Sequence, residues 1–440
     1  MIYTDKKAAV IGAGLAGTEA AMQLAKAGIK TDLYEMKPVK YSPAHESENF
    51  AELICSNSFK AKQLESATGL LKQEMRHFDS LILKVADQCA VPAGGALAVD
   101  RDKFSKLVTE TIENEPLINV IRKEVTEIKE GYDAVIIAAG PLASDALAAE
   151  IGKLCGDSLA FYDAVAPIVS GDSIDLSKAF FASRYDKGNP EDYLNCPMNK
   201  EEYERFYNEL VNGESATLHS FDKRKDVFEG CMPIEVMASR GEDTMRFGPM
   251  KPRGLTDPKT GRWPYAAVQL RRETLEGTMY NLVGFQTNLK FSEQKRIFSM
   301  IPGLENAEFL RYGVMHRNTF INSPALLKNT YEFKGKSGLY FAGQITGVEG
   351  YMASAMSGIL AGINAGRKIN GEPPLILPRE TVMGALTAYI SDPTVEKFQP
   401  MGPNFGLVPA LPEKIRNKKE RYHALALRSL EYFNGEQEEN

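Results

Sequence analysis

Apolar and polar positions alternate along the chain in a readable order, which opens on a continuous apolar run, Ala8-Ala-Val-Ile-Gly12. A run of this length without polar interruption reads as a strand buried on both faces. Residues 15–27 then read as a helix with small residues for packing on a sheet, and residues 31–35 as the next strand. That order is one βαβ unit. After a polar loop the pattern predicts a helix over residues 69–84, and another beginning after Asp100, whose carboxylate suits an N-cap. Residues 119–128 and 134–140 predict two more strands, the second ending in a small-residue turn where backbone can approach a ligand closely.

From about residue 173 the texture shifts to aromatic and charged positions, with a helix expected over 200–211 and short strand-like runs such as Ala266-Ala-Val-Gln-Leu270. Residues 338–343 again read as a buried strand ending in glycine, and 352–369 as a small-residue-rich helix. A further helix, a loop over 398–406 and a basic terminal helix follow. The expected organisation is a nucleotide-binding domain begun by residues 1–172 and completed by 306–440. Residues 173–305 form an inserted, smaller α+β domain that faces the substrate. A chain of 440 residues with 43% hydrophobic content can fill more than one core.

Composition narrows the function classes. No apolar stretch reaches the length of a bilayer-spanning helix, and Met1-Ile-Tyr-Thr-Asp-Lys-Lys7 has none of the zones of a signal peptide, so a cytoplasmic location is expected. The five cysteines, at 55, 89, 155, 196 and 231, form no CxxC pair and are expected as reduced thiols. A net charge of −6 does not advertise nucleic-acid binding. Two basic clusters nevertheless stand out, Lys251, Arg253, Arg262, Arg271 and Arg272 in the middle, and Lys414, Arg416, Lys418, Lys419 and Arg421 near the end. Taken alone, each reads equally well as a solvated face. His45, His219 and His316 lack metal-ligand spacing, and no metal is expected.

Gly12-Ala13-Gly14-Leu15-Ala16-Gly17 lies between the first strand and helix, where glycines permit a tight turn, close approach of a pyrophosphate and strand-to-helix packing. Glu35 ends the second strand, where a carboxylate can accept both hydroxyls of an adenosine ribose. Further strand ends at Ala139-Gly140 and Gly343-Gln344 favour FAD over NAD, because the flavin half of so long a cofactor needs a second anchor. The helix after Gly350-Tyr351 can direct its N-terminal dipole at the ring. Cys231 sits in Phe228-Glu-Gly-Cys-Met-Pro-Ile-Glu235, an irregular turn able to present a thiol, and Cys55 in Leu53-Ile-Cys-Ser-Asn57. Trp263 and Tyr265 fall among Arg262, Arg271 and Arg272, a mixture suited to stacking bases and holding phosphates.

These segments together resemble the folate- and FAD-dependent tRNA uracil-5-methyltransferases, TrmFO, short relatives of the GidA/MnmG flavoproteins, over nearly the whole chain. The resemblance rests on Glu52-Leu-Ile-Cys-Ser-Asn-Ser58, Val91-Pro-Ala-Gly-Gly-Ala-Leu-Ala-Val-Asp-Arg101, Phe228-Glu-Gly-Cys-Met-Pro-Ile-Glu-Val236, Phe247-Gly-Pro-Met-Lys-Pro252, Arg311-Tyr-Gly-Val-Met-His-Arg-Asn-Thr-Phe-Ile321 and Gly343-Gln-Ile-Thr-Gly-Val-Glu-Gly-Tyr351. It implies a Rossmann-like FAD-binding fold of the GidA and glutathione-reductase type. It also implies that a one-carbon unit passes from methylenetetrahydrofolate, by way of the flavin, to C5 of a uridine in the tRNA T-loop, with NADH or NADPH as reductant. By the same resemblance Cys231 is the candidate nucleophile and Cys55 the acid/base or flavin-side thiol, with the roles open to exchange. Tyr351 is expected near the flavin, Arg101 and His316 in the cleft, and the aromatic and arginine cluster as the surface that receives the uridine.

The chain departs from the family pattern at Asn288, where histidine is usual, Ala353 for glutamate, Arg253 for valine and Gly402 for asparagine. These positions bear on folate handling and on which RNA is modified. The rival readings are the same chemistry on ribosomal RNA, a flavin oxidoreductase acting on a small metabolite, and a non-catalytic RNA-binding flavoprotein. The choice between NADH and NADPH and the oligomeric state stay open at this level.

Overall fold

The computed structural model describes residues 6–435 apart from 43, 157–158, 165, 187, 217–231, 275, 314 and 396–397; the side chains of 159–164, 186, 190 and 315–319 also lie outside the description. Its first sheet has five parallel strands in the order Leu339–Phe341, Ala134–Ile137, Lys7–Ile11, Lys30–Glu35, Ile118–Arg122. The first strand therefore lies in the middle, with Ala8 paired to Thr31 on one side and Ala134 on the other. Strand order reverses there, and in open parallel sheets ligands bind in the crevice beyond the strand ends at such a point.

Helices Leu15–Lys26 and Tyr351–Asn370 cross so closely that a Cβ on Gly358 would lie 2.1 Å from the Ala16 carbonyl oxygen. One on Gly362 would meet the Ala20 oxygen at 2.7 Å. Small residues at this crossing are what let helix Tyr351–Asn370 lock onto the first βαβ unit. Val10, Ile136, Phe341 and Ile359 consequently share one core although they come from both ends of the chain.

The helix expected over 69–84 is two helices, Ala67–His77 and Leu81–Gln88. Asp79 takes a φ of 56°, which no helix accommodates, and Ser80 caps the second helix by accepting from the Leu83 N–H at 3.2 Å. Local chemistry thus overrode an apolar periodicity that ran through the break. Asp100 caps the helix Arg101–Glu113 as expected, accepting from the Lys103 N–H. Glu74, buried in the first helix of the pair, accepts from the N–H groups of Val382 and Met383 and from the Ser429 hydroxyl, which ties helices Val382–Ser391 and Lys418–Gly435 to it.

The second sheet has six strands in the order Phe180–Phe181, Tyr193–Met198, Ala266–Arg272, Met279–Leu282, Ile168–Ser170, Phe309–Arg311. Its last two strands come from just outside residues 173–305. Val169, Leu194, Phe206, Val268, Phe285 and Phe298 fill a core separate from the first. Strands Leu159–Ala164 and Met315–Phe320 pair antiparallel where the chain passes between the two. Among the described residues, no helix is long and apolar enough to cross a membrane.

Candidate functional site

The ends of the parallel strands open into a crevice of about 1250 Å³, including its mouth. Gly12, Ala13, Gly14, Leu15, Glu35, Ala139, Gly140, Gly343, Gln344, Tyr351 and Cys55 all line it. Gly12 has a φ of 101° and packs so tightly on the strand 134–137 side that a Cβ would lie 2.6 Å from the Ala138 oxygen. Gly17 lines nothing: its Cβ would sit 1.7 Å from the Gly12 oxygen, so its task is to seat the helix under the turn. Gly14 is the opposite case, with nothing within 4 Å of its Cβ position. No side chain caps the N-terminus of the helix that follows it. Uncapped amides beside open space are what an anionic pyrophosphate requires.

Glu35 is buried at the edge of the crevice, where one carboxylate oxygen accepts from the Ala13 N–H and the other from the Lys37 N–H, each at 3.0 Å. The carboxylate therefore joins the glycine turn to the end of the second strand. The opposite wall comes from Gly343, with a φ of 85°, and from helix Tyr351–Asn370, whose N-terminus at Gly350 also has no side-chain cap. A cleft with an uncapped helix end at each side, a carboxylate at the end of the second strand and glycines without which the walls could not approach fits FAD.

A second cavity of about 1130 Å³, including its open mouth, adjoins the crevice. Cys55, Gln344 and Tyr351 line both, so these three residues form the partition between them. Gly350 lines the second cavity only, with Ser56, Lys60, Arg271, Asn281, Gly284 and Gln286. At the partition the Tyr351 hydroxyl oxygen accepts from the N–H groups of Cys55 (2.8 Å) and Ser56 (3.2 Å), and the Cys55 sulfur lies 3.1 Å from it. Burial above all, and then the neighbouring Cys55, hold the Tyr351 phenol well above its ordinary pKa. It stays protonated.

Two guanidinium groups flank this pair. Arg101, at the start of its helix, donates to the carbonyls of Leu53 and Ile54 and binds the buried Glu273 carboxylate at two points. Burial pulls Arg101 down, but Glu273 more than restores it. Arg271 is buried, donating to Asn57 Oδ1 at 2.8 Å and Ser56 Oγ at 2.7 Å. Burial lowers its pKa, and Glu273 offsets part of that loss. Both arginines interact electrostatically with Cys55.

Cys231 and His219 lie outside the described residues, and so does the His316 side chain. Just beyond Cys231, the Ile234 N–H donates to the carbonyl of Gln286, a residue of the second cavity. Glu235 accepts from Thr287 Oγ1 and from the N–H of Asn288.

The expected surface of Trp263, Tyr265, Arg262, Arg271 and Arg272 is not one surface. Alternation along strand Ala266–Arg272 sends Arg271 to Ser56 and Asn57, and Arg272 to the opposite face, over the Phe181 ring. Tyr265 packs edge-on against buried Tyr203, while Trp263 and Arg262 stay exposed. The sequence reading passed over Glu273 and Asn57. Asn57 had a signal, its place in the Cys55 motif; Glu273 had none, because its partner stands 172 residues away.

Comparison with known proteins settles the kinship. The family model described as "Glucose inhibited division protein A" matches residues 7–373. The chain is 58% identical over 427 residues, 97% of each chain, to methylenetetrahydrofolate–tRNA-(uracil-5-)-methyltransferase TrmFO of Enterococcus faecalis. It is 60% identical, over 96% of this chain and 98% of the other, to the protein of that name from Natranaerobius thermophilus. The chain belongs to the TrmFO family. Aquifex aeolicus GidA has the same fold, with a TM-score of 0.71 at 17% identity over 99% of this chain and 74% of that one. Seen as a TrmFO chain, the partition of Cys55, Gln344 and Tyr351 separates a dinucleotide crevice from a cavity that Arg271 and Asn281 of the second sheet help to line.

Proposed function

We infer that this protein methylates C5 of a uridine in tRNA, taking the carbon from methylenetetrahydrofolate and using FAD with NADH or NADPH as reductant. The observation that carries this reading is the Cys55–Tyr351 pair standing between the two cavities, in a chain this close to TrmFO proteins along its whole length.

The residues that would hold FAD are Gly12, Ala13, Gly14 and Leu15 at the pyrophosphate, Glu35 at the ribose, and Ala139, Gly140, Gly343, Gln344, Gly350 and Tyr351 along the flavin half. Gly17 supports that set from beneath the turn. When bound and reduced by NADH or NADPH, the flavin would supply the two electrons that convert a transferred methylene into a methyl group. The protein's part is to prepare the pyrimidine. Addition of the Cys231 sulfur to C6 makes C5 enolate-like and able to attack the one-carbon donor. The C5 proton then leaves to a base, for which Cys55 is positioned by Tyr351, and the Cys231–C6 bond breaks to restore the ring. The tie between Ile234 and Gln286 supports a Cys231 that works from the second cavity. The inserted residues 173–305 face the RNA, and the reaction belongs in the cytoplasm.

The test is transfer of label from methylenetetrahydrofolate to an unmodified tRNA transcript with NADH or NADPH, followed by mapping of the methylated base. Cys231→Ala should abolish transfer while the protein keeps its yellow flavin colour. Label found only on ribosomal RNA would correct the substrate, and no label on any RNA would sink the reading.

A further inference from the structure

The segment between the helix Thr244–Phe247 and the strand Ala266–Arg272 carries large aromatic rings in contact with water. Phe247 is 83% exposed, Trp263 56% and the adjoining Tyr185 49%. Exposing such rings forfeits burial energy, so a group of them calls for a partner. The segment is also basic. From Arg246 to Tyr265 it holds Arg246, Lys251, Arg253, Lys259 and Arg262, while its one acidic residue, Asp257, is buried. A chain of net charge −6 thus concentrates cations here.

The fold builds this arrangement rather than leaving it loose. Arg246 lies 3.7 Å above the centre of the Tyr265 ring and donates to the Tyr265 carbonyl, which ties the residue before Phe247 to the chain two residues beyond Trp263. Asp257 and Arg262 pair as a bridge that turns the segment back on itself. Tyr185, held at a φ of 59°, donates its N–H to the Gly254 carbonyl and lays its ring against Gly254, where a Cβ would lie 2.8 Å from ring carbons. Lys251 stands 5.7 Å from the same ring.

The segment touches the second cavity. Pro249 packs on Gly284, where a Cβ would meet the proline at 2.5 Å, and Gly284 lines the second cavity together with Cys55 and Tyr351. Flat rings interleaved with exposed guanidinium and ammonium groups match one chemistry: unstacked bases on a phosphate backbone.

We propose that Tyr185, Phe247 and Trp263, with Lys251, Arg253 and Arg262, form an RNA-docking shelf that grips the tRNA outside the reaction site and leads its reactive uridine over Gly284 into the second cavity. This rests on the tRNA reading above and assigns the place of contact. The shelf adds affinity and takes no part in bond making.

Trp263 is the only tryptophan in the chain, so its emission reports the shelf directly. Titrating the holoenzyme with unmodified tRNA should quench that emission saturably, and the quenching should weaken as salt rises. Arg253→Glu/Arg262→Glu should raise Kd at least tenfold and flatten the plot of log Kd against log salt by about 1.4 for two lost contacts to single-stranded phosphates. Phe247→Ala should raise Kd by about 5- to 150-fold, the effect of one lost stacking partner. In each variant KM for tRNA should follow Kd, while kcat at saturating tRNA and reduction of the flavin by NADH or NADPH keep wild-type values. An unchanged Kd and salt slope in the double variant, or tRNA binding that leaves Trp263 emission unaltered, would overturn the shelf. If the variants lose tRNA binding but the wild type transfers no methyl group, the shelf stands and the catalytic reading falls.

Discussion

The sulfur of Cys55 lies 3.1 Å from the phenol oxygen of Tyr351, a residue 296 positions further along the chain. That oxygen also accepts the N–H groups of Cys55 and Ser56, so a single hydroxyl fixes both the loop and its thiol. Removing it with Tyr351→Phe leaves two N–H groups without an acceptor, which costs about 1–3 kcal/mol each where they are buried. The loop should move, and kcat should fall about tenfold or more while FAD content stays unchanged. Methyl transfer by Tyr351→Phe at the wild-type rate would show that the hydroxyl does not position Cys55.

Arg101 and Glu273 form a largely buried ion pair whose cation also holds the carbonyls of Leu53 and Ile54. Breaking a buried pair strands a charge and costs about 3–5 kcal/mol. Glu273→Ala should therefore lower stability by roughly that amount in denaturant titration.

The crossing at Gly358 tolerates no side chain. Gly358→Val should push helix Tyr351–Asn370 off helix Leu15–Lys26 and cost at least about 1–3 kcal/mol by overpacking. Both helices begin at the crevice walls, so the purified variant should carry less flavin per chain than the wild type, as read from the ratio of flavin to protein absorbance.

Two buried carboxylates predict how stability changes with pH. Burial raises both Glu19 and Glu74 to about 7, against the hydrogen bonds each accepts. A carboxyl group whose folded pKa is raised favours the folded state fully below its unfolded pKa, and that contribution is lost as pH climbs through the folded value. The melting temperature should therefore fall as pH rises from about 4.5 to 7. Glu74→Gln should flatten part of that slope, and should loosen helix Lys418–Gly435, which Ser429 ties to Glu74. A slope identical in Glu74→Gln and wild type would exclude Glu74 as its source.

Much of the molecule was legible without coordinates because its information is local. A glycine turn between an apolar run and a small-residue helix dictates a βαβ crevice wherever it occurs, and Glu35 and Gly343 occupy strand ends that periodicity alone can locate. The motif around Cys55 marked that loop as chemical before its neighbours were known.

What only the tertiary structure decided is which distant groups meet. Glu273 reaching Arg101, Arg271 turning in to Asn57, and Tyr351 closing on Cys55 each join residues more than 170 positions apart. No local period encodes such pairings. Strand alternation likewise divided a cluster that looked single in sequence, and a φ of 56° at Asp79 broke a helix that periodicity carried through. The sequence by itself determined the crevice and its ligand class, because short-range sterics and hydrogen bonding set turns, strands and helix ends. The geometry of the thiol site required the folded chain, because burial and charge act on neighbours in space.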